Sequence, residues 1–145
     1  MVHTIEISSR STVLVAFILL FAVMVYAYDS AMPSPPVLYA GSANPGVVYR
    51  YLGKGVWEPI SPVLGYAVLD LVEYNGNLYA AVTTDYSGYY GVGRVYRYDG
   101  SGRWTLVGDG LDRAVIKLVV YNGELYAATG RGAFRLYKYT PGRTN

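Results

Sequence analysis

After residue 28 the chain alternates short apolar stretches with glycine-rich punctuation, and no segment spaces its apolar residues as a helix would. Two runs stand out, AVLDLVEY (residues 67–74) and AVIKLVVY (residues 114–121), each ending in Tyr-Asn-Gly. Asn-Gly after an apolar run marks a two-residue hairpin, because both residues tolerate positive φ. The returning strands, residues 77–83 and 124–129, each hold Leu-Tyr-Ala-Ala. A variable glycine-rich loop comes next, then VYRY (95–98) or LYKY (136–139) with the period-two alternation of a strand. A second glycine-rich turn leads to a strand centred on Trp57 or Trp104. The pattern predicts an all-β chain.

These elements recur. Residues 48–77 laid on 95–124 match at 15 of 30 positions without a gap, and the phrase VYRYLGKGVW returns as VYRYDGSGRW 47 residues later. A period of this length indicates a propeller or a solenoid array. From Val-Tyr-Arg-Tyr to Leu-Tyr-Ala the spacing is 30 in both copies, whereas the opposite spacing runs 10, 17 and 11. Constant spans are framework, and the variable one is a surface loop free to carry function.

Tyr74-Asn75-Gly76, Leu78-Tyr79-Ala80-Ala81, the Tyr96/Tyr98 pair and Trp104 together resemble the kelch-type β-propeller repeat, over about residues 37–139. Where such units carry Gly-Gly after the second strand, this chain has Ala81-Val82 and Thr129-Gly130. Asp99 to Trp104 also has the spacing of an Asp-box turn, with Leu52 in place of the acid in the other copy. The kelch resemblance implies four-stranded antiparallel blades whose innermost strands line a central channel. On that plan residues 37–65 form a partial unit, 66–112 a full one and 113–139 another partial one. The first lacks its inner strand and the last its tryptophan strand. The expected fold is therefore an incomplete kelch-like β-propeller. Propellers close with about four to eight blades, so open edges predict either a homo-oligomer or further blades in a longer chain.

Ahead of the repeats, residues 11–28 (STVLVAFILLFAVMVYAY) carry no charge. As a hydrophobic helix they would reach about 27 Å, close to a bilayer core. Val25 and Ala27 also give the small −3/−1 pattern of a signal-peptide cleavage site. Residues 1–28 are expected to be a cleaved signal peptide or a membrane anchor. Arg10 precedes the block and no Lys or Arg follows until Arg50, which leaves the body extracytoplasmic, secreted or anchored. A third reading makes FAVMVYAY (21–28) the first unit's inner strand, since it resembles residues 67–74. Residues 29–36, with Pro33, Pro35 and Pro36, read as an extended spacer.

Composition removes several chemistries. Cysteine is absent and His3 is the only histidine, so thiolate sites, histidine triads and histidine-based zinc sites are excluded from the repeat region. A net charge of +2 gives no reason to expect nucleic acid. Seventeen tyrosines against three phenylalanines suit half-buried strands with a wet edge. No catalytic set, cofactor or metal ligand set is predicted.

Three constellations remain. The loop TDYSGYYGVG (84–93) presents Tyr86, Tyr89 and Tyr90 among glycines, either a stacking surface for a carbohydrate or protein partner or a bland hairpin tip. Asp70 and Lys117 take equivalent places on the innermost strands, where the resemblance implies that they project into the channel towards water or a ligand. The tyrosines flanking Arg50, Arg97 and Lys138 read either as an aromatic-basic ladder or as packing residues whose cations reach out to water. Of the acids in or near turns, Glu58, Asp85, Asp99 and Asp112, none has a spacing that fixes a glycosidase pair. The expected function is non-enzymatic binding or scaffolding; a glycosidase or lyase fragment and a self-assembling surface protein are the alternatives.

Overall fold

The computed structural model describes residues 14–18, 22–27, 37–86, 90–130 and 134–142. They form an all-β chain of curled antiparallel sheets arranged as a half-barrel, with no helix among the described residues. The first sheet contains β1 (Leu14–Ile18), β2 (Ala22–Ala27), β3 (Val37–Gly41), β5 (Val48–Gly53) and β6 (Val56–Pro59) in that spatial order. The second runs β10 (Arg103–Gly108), β9 (Gly93–Gly100), β8 (Asn77–Thr83), β7 (Gly65–Tyr74) and β4 (Ala43–Gly46). The third holds β11 (Ala114–Tyr121), β12 (Glu124–Gly130) and β13 (Leu136–Lys138).

The turns follow from the residues that make them. Asn75-Gly76 and Asn122-Gly123 have φ of 49° and 72°, and 49° and 74°, the paired positive values of a tight hairpin. Residues 53–55 and 100–102 each take three successive positive φ values, with Lys54 or Ser101 between two glycines. Registers repeat as well. Ala67 faces Thr83 as Ala114 faces Gly130, and an irregularity between Val68 and Asp70 recurs between Val115 and Lys117.

The N-terminal hydrophobic helix expected over residues 11–28 falls partly outside the described residues, and the spacer at 29–36 wholly so. Its described parts, β1 and β2, run as strands, and β2 pairs with β3 so that Tyr26 faces Leu38 as Glu73 faces Leu78. No helix among the described residues is long and apolar enough to cross a membrane.

Two apolar clusters hold the sheets together. β8 alternates along its length: Leu78, Ala80 and Val82 face the first cluster, while Tyr79 and Ala81 face the second. A strand buried on both faces needs apolar residues at every position, and residues 78–82 supply them. The first cluster joins the first and second sheets, with Trp104, Tyr96 and Tyr98 packed on its rim. The second joins the second and third sheets.

Close backbone approach at both junctions requires glycine. A Cβ on Gly46 would stand 3.0 Å from the Ala67 backbone, and one on Gly93 would stand 2.2 Å from the Leu111 carbonyl oxygen. The two glycines also accept equivalent bonds, from the Leu64 N–H at 2.9 Å and the Leu111 N–H at 3.0 Å.

Candidate functional site

The loop after β8 presents Tyr86 and Tyr90 to solvent. Tyr86 and Tyr90 are 77% and 87% exposed; Tyr89 lies outside the described residues. Tyr86 meets Tyr66 edge-on at 5.5 Å. The loop base is tied by the Val92 N–H donating to Thr84 Oγ1 at 2.8 Å, and the Tyr90 N–H donates to Asp85 Oδ2 at 3.1 Å.

Asp70 and Lys117 come together at the second junction. Asp70 does not project towards water: it is 2% exposed, and its carboxylate accepts from Lys117 Nζ at 3.0 Å and from the Leu118 N–H at 2.7 Å. The 47-residue shift makes the two side chains equivalent, yet the curvature of neighbouring sheets sets one against the other. Lys117 keeps half of its side chain in water. The pair clamps the second sheet to the third, helped by the Tyr74 hydroxyl donating to the Gly123 carbonyl at 3.2 Å.

The tyrosine-flanked cations are engaged in ion pairs, Arg50 with Glu58, Arg97 with Asp99 and Lys138 with Glu124. The Thr105 hydroxyl and the Arg97 guanidinium hold the Asp99 carboxyl below the usual range. Lys138, bonded to Glu124, does the same to that carboxyl. Asp112 accepts from Arg135 Nη1 at 2.5 Å and from Thr129 Oγ1 at 2.8 Å. Each turn acid thus has its own donor, and no group of three potential metal ligands occurs among the described residues.

Sequence reasoning did not find two features. One is a groove of about 220 Å³ between the second and third sheets. It is lined chiefly by Val95, Val107, Leu111, Leu118, Leu125 and Ala127, with Tyr137 and Tyr139 at its side. The other is the outward face of the third sheet. Val119, Tyr121 and Leu136 are 41%, 64% and 65% exposed there. Their counterparts Val72, Tyr74 and Val95 on the second sheet pack into the second cluster. The signal for both lies in the internal repeat, which pairs these residues with covered counterparts.

Comparisons of the chain with protein-family models, with curated proteins and with solved structures gave no match.

Proposed function

We propose that this chain is a non-enzymatic binding and scaffold module, built of propeller-type blades, that takes another polypeptide of its own kind as partner. The observation that carries the reading is the open face of the third sheet. Val119, Tyr121 and Leu136 stand where the second sheet has residues covered by its neighbour. A further blade packed there would continue the junction already formed within the chain. The first sheet offers the matching surface for a second copy, since Tyr49, Tyr51 and Trp57 repeat Tyr96, Tyr98 and Trp104. An interface of this kind is heterologous, so copies add head to tail.

A carbohydrate reading finds its support in the exposed Tyr86 and Tyr90. The enzymatic alternative is the weakest, because the turn acids are engaged by their own donors. An extracytoplasmic location belongs to the same proposal and rests on the charge gap between Arg10 and Arg50.

Sedimentation velocity of the full chain over a wide concentration range tests the reading. Association should appear, and the double variant Val119→Asp/Leu136→Asp should weaken it at least about tenfold. A single monomeric species for both proteins, with unchanged circular dichroism, would sink the proposal.

A further inference from the structure

The groove beside β13 repeats a place that is filled elsewhere in the same molecule. Val95, Val107, Leu111, Leu118, Leu125 and Ala127 lie 47 residues after Val48, Ile60, Leu64, Leu71, Leu78 and Ala80, all members of the first cluster. By the strand registers, Tyr137 and Tyr139 correspond to Tyr96 and Tyr98. In the first junction Trp104 packs against this set, stacks on Tyr98 at 5.0 Å and donates its indole N–H to the Ile60 carbonyl at 2.9 Å. No described residue takes Trp104's part in the second junction.

We infer that this groove is a socket for an extended, tryptophan-bearing strand of another polypeptide, which adds antiparallel to β13. The inference rests on the reading of the chain as a protein-binding module and names the chemistry that one of its sites accepts. Among the described residues β13 pairs with β12 on one side and is the edge of its sheet, whereas the equivalent β9 has β10 on its far side. An unpaired edge beside an apolar socket is the arrangement used in β-strand addition, where the backbone supplies affinity and a pocketed side chain supplies specificity. β10 itself shows the fit required, with Trp104 opposite Tyr98 and Leu106 opposite Tyr96. On the third sheet the incoming tryptophan stands opposite Tyr139, and Val107, the counterpart of Ile60, is the matching indole acceptor.

The probe is a fluorescein-labelled peptide with the sequence DGSGRWTLVG, that of residues 99–108. Anisotropy titration with the full chain should show saturable binding that weakens at least about tenfold when the peptide's tryptophan is alanine. A second variant narrows the socket. Gly108 lines it, and the nearest atoms to a Cβ there belong to the Leu111 and Val95 side chains, the closest at 3.0 Å, so Gly108→Leu should fold and lose the peptide. No binding at millimolar peptide, or equal binding of the alanine peptide, would overturn the inference. Failure here with self-association still sensitive to Val119→Asp/Leu136→Asp would reject the socket and leave the proposed function standing. Loss of both would reject the function as well.

Discussion

The two junctions between sheets use the same apolar skeleton and close it differently. Between the first and second sheets an indole seals the packing, with its N–H satisfied by the Ile60 carbonyl. Between the second and third, a groove lies where that indole would be, and polar groups join the sheets beside the apolar cluster. Asp70 bridges to Lys117 and the Leu118 N–H, Tyr74 reaches Gly123, and Thr83 Oγ1 donates to the Arg113 carbonyl at 3.3 Å. A repeat therefore conserves what packs the sheets. The group that finishes each junction is set locally, and that is where one junction can become a binding site while its twin is structural.

Trp104→Ala should break the contrast most strongly. It opens in the first junction the groove that the second already has, and large-to-small loss at a packed aromatic costs about 3 kcal/mol. Trp57→Ala, at the half-buried counterpart of Trp104 that packs on Tyr51 within its own sheet, should stay within about 1 kcal/mol. Urea denaturation followed by circular dichroism compares the two; equal losses would mean that the first junction does not depend on its tryptophan.

Asp70→Ala sharpens the comparison from the other side. It leaves the buried Leu118 N–H without its acceptor, at about 2 kcal/mol, and the loss should be confined to the second junction. Hydrogen exchange should show faster opening in β11 with β3 and β5 unchanged. Unaltered protection in β11 would show that the clamp is dispensable.

The smallest effect is a pH dependence. Burial, with Tyr139 beside it, pushes the Tyr79 hydroxyl from 10.0 up to about 12. A phenol whose folded pKa is raised favours the folded state fully below the unfolded value. That contribution is lost as pH rises through the folded one. Stability should therefore fall between about pH 10 and pH 12. Tyr79→Phe should flatten that decline with little change at neutral pH. An identical slope in the variant would place the titration elsewhere.

Much of the fold was legible before any coordinates. Tyr-Asn-Gly marked both hairpins because positive φ at two successive residues admits few side chains. Period-two alternation at residues 95–98 and 136–139 marked β9 and β13. Gly46 and Gly93 lie just outside the aligned window and were missed, since close approach leaves no local pattern. Residues 11–28 carry an apolar run that suits a membrane helix and a strand equally; of their described part, β1 pairs with β2 and β2 with β3.

The sequence by itself determined that the chain is all-β, where its hairpins turn, and which positions repeat at 47 residues. Those properties follow from φ preferences and side-chain periodicity, which act over a few residues. Only the tertiary structure decided that Asp70 is buried against Lys117, that the Tyr-flanked cations are ion-paired, and that the second junction retains a groove. Each of these depends on which sheet lies next to which. Burial and pairing are properties of the neighbour, and a repeat writes the same residues into places whose neighbours differ.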